Sequence, residues 1–219
     1  YQGSYTAGND NYNNYSFFSA GGMDFIVINL QYSPTTAVLN WADGLLKTHS
    51  DRRAIVVQHD LLNVTTNAWS NSATYTALSG NSNLFLMLCG HNHSGSDGSA
   101  YRIETRSGMN PVHALLTDYQ DLSGQDHIRL LTFKPSTDQI YAQVFSPVTP
   151  GGYKTDASNF EQFTMAYDME GEAGAPFELI GTVNGVASGS NAAINWVGRA
   201  ENTEYEWYAV ASDGNLSTT

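Results

Sequence analysis

The chain has 219 residues and very little of several things. It holds one cysteine, Cys89, so no intrachain disulfide framework exists, and the fold must be held by its core. Lys and Arg together number only 9 against 21 Asp and Glu, a formal net charge of −12. Binding to nucleic acid or to an anionic membrane surface relies on clustered basic side chains that release counterions, and this chain lacks them. No apolar run approaches the roughly 20 residues that span a bilayer as a helix. The chain begins at Tyr1 with neither an initiator Met nor a signal peptide, which reads as a processed or partial product. Only 14% of residues are charged, yet 41% are apolar, and Gly, Ser, Asn and Thr supply the polar surface. That balance suits a loop-rich globular protein rather than a disordered one.

Residues 1–22 are rich in Gly, Asn, Ser and Tyr and read as loop. "DFIVINL" (Asp24–Leu30) is a continuous apolar run of strand length, as expected for a strand buried on both faces. Ser33 followed by Pro34 reads as an N-cap with proline at the first helical position. Val38, Trp41, Leu45 and Leu46 then recur at helical spacing, which predicts an amphipathic helix over 34–49. "AIVVQH" and "LFLMLC" predict two further strands, with a polar helical stretch around 68–78 between them. Strand, helix, strand, helix, strand implies parallel βαβ units, whose ligands collect beyond the carboxyl ends of the strands.

From Val112 the texture becomes antiparallel-like, in "VHALLTDY", "IRLLTF" and "IYAQVF", separated by turn-rich pieces such as "KPSTDQ". The acidic, Gly/Ala-rich "DMEGEAGA" at 168–175 is the best linker candidate. Beyond it, apolar and polar residues alternate between Gly, Asn and Ser turns, the pattern of short sandwich strands. Tyr205, Trp207 and Ala209 would share one buried face there, opposite Glu206 and Tyr208.

The residues that carry chemistry are histidines at strand ends. His59 closes the "AIVVQH" strand, and His91 and His93 follow the "LFLMLC" strand after Gly90. Residues i and i+2 of an extended segment project to one side, and Gly90 permits a turn, so two imidazoles can converge on a metal ion. The bland alternatives are a polar turn and a strand-end His that is merely hydrogen-bonded. His113, inside an apolar run, reads as a packed core or edge residue. His49 closes a helix, where an imidazolium complements the dipole. His127 reads as a loop residue. Asp118 is a candidate to orient a ligand His, although a turn role suits it better. Cys89 reads as a buried small hydrophobe. Sequons at Asn14, Asn63, Asn92 and Asn215 read as chance in an Asn/Ser-rich chain, because a glycan on Asn92 would block its own loop.

"FSAGGMDFIVINLQYSPTTAVLNWADGLLKTHSDRRAIVVQHDLLN", then "NLFLMLCGHNHSG", "VHALLTDYQD", "IYAQVFSP" and "NFEQFTMAYDM" resemble the second half of a calcineurin-like metallophosphoesterase of the large secreted bacterial type. The resemblance covers nearly all of residues 13–169. It implies an α/β (α+β) fold, part of a two-sheet β-sandwich flanked by helices, with a dinuclear metal site at the strand ends. It also implies hydrolysis of a phosphoester substrate, two divalent ions (Zn, Fe, Mn or similar) and a secreted or cell-surface setting. Carried over by position, His59 and His91 would ligate one ion and His93 the other. The family's Asp-x-His, Gly-Asp-x-x-Asp and Gly-Asn-His motifs have no match in this chain, since Gly8-Asn9-Asp10 lacks the histidine and reads as a turn. The catalytic residues are therefore expected before Tyr1, and this chain is expected to be weakly active or inactive. The implied organisation is 1–169 metallophosphoesterase, 170–176 linker and 177–219 a partial fibronectin-type-III or Ig-like module, on the likeness of "NTEYEWYAVASDG". The competing reading is a non-catalytic surface or carbohydrate-binding module, kept open by the tyrosine-rich composition.

Overall fold

The computed structural model describes residues 1–6, 11–95, 98–121, 126–148, 152–154, 156, 160–169, 179–199, 207, 209, 211–212 and 217–218. The chain separates into two units, Tyr1–Ala173 and Gly174–Thr219.

In the first unit a seven-stranded sheet runs in the order β1-β2-β3-β4-β5-β7-β6. Its strands are β1 (Gly3–Ser4), β2 (Asn14–Ala20), β3 (Met23–Leu30), β4 (Arg53–Gln58), β5 (Leu84–Cys89), β6 (Ser99–Arg106) and β7 (Met109–Thr117). β3, β4, β5 and β7 pair in parallel, and antiparallel hairpins flank them on each side. Helices α1 (Thr36–Thr48) and α2 (Ala73–Leu78) supply the crossovers. Ile26, Ile28, Ala54, Val56 and Met87 bury one face of the sheet against Val38, Leu39, Ala42 and Leu46 of α1 and Leu78 of α2. On the other face, Phe25, Ile55, Phe85, Leu86 and Leu115 pack on Ile140, Ala142 and Met165 of a second sheet.

That second sheet is antiparallel: β8 (Ile128–Lys134) pairs along β9 (Gln139–Phe145), which also pairs with β11 (Gln162–Ala166) and the short β10 (Tyr153–Lys154). The fold is thus mixed α/β, mostly sheet, in helix–sheet–sheet layers. The central strands read as unbroken apolar runs because alternate residues enter different cores. Among the described residues, no helix is long and apolar enough to cross a membrane.

Four expectations need correction. Residues 1–22 are not all loop, since β1 and β2 lie there. Gly21 and Gly22 both have positive φ (59° and 78°) and close a two-residue hairpin that pairs Ala20 with Met23, a turn that glycine adopts at no steric cost. Tyr15 and Phe17 pack against Trp41 and His49, burying what composition had disguised. Helix α1 starts two residues later than proposed, with Thr35 as N-cap accepting from the Val38 N–H at 3.4 Å, while Ser33 takes a left-handed φ of 52°. The helix expected over 68–78 is only Ala73–Leu78. The chain there folds back on itself instead: Trp69 forms an antiparallel bridge with Leu62, and the Ser70 N–H donates to the Leu61 carbonyl at 2.9 Å. Finally, His113–Leu116 pairs in parallel with β5, while β6 supplies the antiparallel partner on the far side of the strand.

The second unit has one described ladder, β12 (Ala211–Ser212) with β13 (Ser217–Thr218). Residues 179–199 contain no helix or strand. Trp207 is exposed. The proposed linker, apart from Asp168 and Met169, lies outside the described residues, as do Tyr205, Glu206, Tyr208 and the Asn215 sequon.

Two side chains tie elements together and can be tested. The Asn83 carboxamide donates to the carbonyls of Leu46 (3.2 Å), His49 (3.0 Å) and Arg52 (3.0 Å), capping the end of α1 and the turn into β4. Asn83→Ala should cost about 1–3 kcal/mol, since it strands half-buried carbonyls, and a lowered urea midpoint at constant m would show it. His113 is buried, as expected; its Nε2–H donates to the Ala166 carbonyl at 2.9 Å, so Nδ1 accepts from the Tyr101 hydroxyl at 2.8 Å. Burial holds the His113 pKa below 6.5. The unfolded chain therefore binds a proton that the folded one resists, and stability falls as pH drops through 6.5. Urea midpoints measured from pH 7.5 to 5 should decline more steeply for the wild type than for His113→Gln.

Candidate metal centre

Parallel strands that end together leave their carboxyl termini facing one crevice. The ends of β3, β4 and β5 contribute Asn29, Leu30, Val57, Gln58, His59, Leu88, Cys89 and Gly90 to a cavity of about 400 Å³. Gln58 is buried and internally satisfied: Oε1 accepts from the Thr74 hydroxyl and Nε2 donates to the Asp60 carbonyl at 3.1 Å. The Gly90 N–H donates to the His59 carbonyl at 3.1 Å, extending the β4–β5 register past both strands. That bond sets the two histidine-bearing loops side by side.

His59 Nε2 lies 3.0 Å from His91 Nδ1, one nitrogen donating and the other accepting, with ring centroids 4.8 Å apart. The half-exposed Tyr32 ring stands 5.8 Å from His59 and 5.4 Å from His91. His93 is elsewhere. Its Nδ1 lies 2.7 Å from Asp121 Oδ2, and its Nε2 meets the Gln120 carboxamide. The sequence-based picture of an extended His-x-His pair projecting to one side does not hold, because His91 is left-handed at φ 67°. The glycine is not where the strain falls. A Cβ on Gly90 would make ordinary contacts, 3.5 Å from the Thr117 carbonyl and 3.6 Å from Asp118 Oδ2.

The remaining candidates sit as their surroundings dictate. Asp118 Oδ1 accepts from the Gln120 N–H at 3.1 Å, the turn role expected of it. Burial pushes the Cys89 thiol up to about 12, so it is a packed, un-ionised group. His49 is the C-cap of α1, and His127 precedes β8 outside any element. The Asn92 carboxamide donates to Asp60 Oδ1 at 2.9 Å, so the sequon in the loop is engaged in the fold. Asp60 also accepts from the Ser70 hydroxyl, which braces this loop from behind.

Two functional candidates escaped sequence reasoning, Gln120 and Asp121. The available signal was a carboxylate and an amide directly after a buried strand, in "TDYQD". The His93 contact holds the Asp121 carboxyl below the usual carboxylate range, with help from the Gly95 N–H.

The donor set can be tested for fit. A metal–imidazole bond is about 2.0–2.1 Å, so two nitrogens 3.0 Å apart can reach one ion at roughly a right angle. By spacing, His59 and His91 can share one divalent ion once the proton between them sits on a remote ring nitrogen. Among the described residues, however, no three His, Cys, Asp or Glu side chains gather as a metal-binding group. A complete site needs further ligands.

No family model matches the chain. It is 27% identical over 241 residues to an uncharacterized protein, YvnB, of Bacillus subtilis (strain 168), a match covering 97% of this chain but 18% of that relative. The chain thus spans less than a fifth of the length of the curated relative it matches.

Proposed function

We propose that the chain carries part of the metal centre of a metal-dependent phosphoester hydrolase of the calcineurin-like kind, set in a longer secreted protein. The observation that carries this reading is the pair of imidazole nitrogens, His59 Nε2 and His91 Nδ1, 3.0 Å apart beyond adjacent parallel strands. The sequence resemblance over residues 13–169 supports it independently, and the match to a fraction of a much longer relative fits a segment of a larger chain.

In this reading His59 and His91 hold one divalent ion, and His93 serves a second. Bound ions of this type lower the pKa of water and neutralise charge on phosphoryl oxygens. The protein's share is placement. The Gly90–His59 backbone bond keeps the two ligand loops in register, and Tyr32 shields one side of the imidazoles. Neutral imidazoles bring no negative charge to offset a dication, so carboxylates from outside this chain complete the site. The domain from 177 onward belongs to this proposal as a fibronectin-type-III-like appendage.

Two measurements test the assignment. Zn²⁺ titration of the chain should show weak binding, and His59→Ala or His91→Ala should weaken it by about 10–100-fold or more, at least the loss typical of disturbing a metal's outer partners. Hydrolysis of an aryl phosphate by this chain should be slow or undetectable. Robust turnover that survives both substitutions would refute the metal centre.

A further inference from the structure

The turn after β7 holds His93 from both of its ring nitrogens. A carboxylate only accepts hydrogen bonds, so the 2.7 Å contact to Asp121 Oδ2 places a proton on His93 Nδ1. Nε2 of the neutral ring then carries the lone pair, and the Gln120 carboxamide N–H is aimed at it.

This turn is itself pinned. Asp121 Oδ2 also accepts from the Gly95 N–H at 3.1 Å, which joins the β7–β8 connection to the histidine loop. The Asp118 N–H donates to the Gly98 carbonyl at 2.8 Å, and the Tyr119 hydroxyl donates to the buried Glu161 carboxylate at 3.3 Å. Gly98 admits no Cβ: one built there would collide with the Asp118 carbonyl and lie 2.6 Å from the Tyr119 ring. The His93 side chain (25% exposed) and that of Asp121 (41%) nonetheless remain open to solvent.

We infer that Asp121 is a positioning residue for His93: it fixes the proton on Nδ1 and presents Nε2 as the lone-pair donor, which the Gln120 carboxamide caps until a cation takes its place. The tautomer follows from the carboxylate contact alone, whereas the cation rests on the function proposed above. A carboxylate behind an imidazole in this way orients the ring and raises its basicity.

The two parts separate experimentally. Long-range ¹H–¹⁵N correlation spectra of the ¹⁵N-histidine-labelled chain, with chelator at pH 8, report which His93 nitrogen carries the proton. The wild type should show protonated Nδ1 and bare Nε2. Asp121→Ala should move the proton to Nε2 in the majority of molecules, and Gln120→Ala should leave it on Nδ1. A wild-type proton on Nε2, protons on both nitrogens, or no change in Asp121→Ala would overturn the assignment. Titration of the same samples with Zn²⁺ tests the second part: Nε2 should shift, and Asp121→Ala should weaken that response about 10–100-fold. A tautomer that follows Asp121 in a chain indifferent to Zn²⁺ would overturn the metal role and leave the positioning assignment standing.

Discussion

A strand covered by apolar side chains on both faces has nowhere along its length to keep an imidazole or a carboxylate uncompensated. β3, β4 and β5 are such strands, with α1 and α2 on one face and the second sheet on the other. Their polar chemistry is therefore displaced to the residues just past their carboxyl ends, where the ladder stops and the backbone turns. His59, His91 and His93 all stand at those positions. The same burial keeps the strands in fixed register, so the loops they carry inherit a defined spacing. The one backbone bond from Gly90 to His59 then settles the 3.0 Å separation of the imidazoles.

The shortage of basic residues shapes how the layers are joined. Arg106, Arg129 and Arg53 donate to backbone carbonyls and hydroxyls. Arg106 donates to the carbonyls of Ser79, Asn81, Leu84 and Asn110, fastening the end of β6 to the connection between α2 and β5. Arg129 reaches from β8 to Thr117, Ser99 and the Phe160 carbonyl, bridging the two sheets. Its burial lowers the guanidinium to about 10, still charged at neutral pH. Arg53 likewise donates to the Tyr167 hydroxyl at 2.7 Å and to the Asp168 carbonyl at 2.9 Å. The positive charge of this acidic chain is thus spent in part on stitching its own backbone, with little left to gather on a surface.

The parts of this fold that were legible in the sequence are those whose physics is local. β3, β4 and β5 announce themselves through unbroken apolar runs, and α1 through its 3.6-residue spacing. β2 was hidden because "NYSFFSA" mixes Asn and Ser with aromatics, and its partner is chosen by a tertiary contact with α1. The Gly21-Gly22 hairpin signal was present and outweighed by composition. The strand-end histidines were legible for the same reason as the strands. Their convergence was legible only in part, because the left-handed turn at His91 cannot be read from Gly-His-Asn-His. Asp121 lies 28 residues from His93 and meets it only because β7 sits beside β5. No periodicity reports that.

Both flanks of the large sheet are two-residue hairpins, β2–β3 through Gly21-Gly22 and β6–β7 through Ser107-Gly108, where Gly108 has φ 70°. Hairpins pair residues close in sequence and close within microseconds, whereas the parallel pairs β3–β4, β4–β5 and β5–β7 must wait for long crossovers. β4 and β5 have no hairpin partner, and each is held only by parallel neighbours. The loops bearing His59 and His91 therefore depend on pairings between residues far apart in sequence, so their spacing reports whether the parallel centre of the sheet is in register.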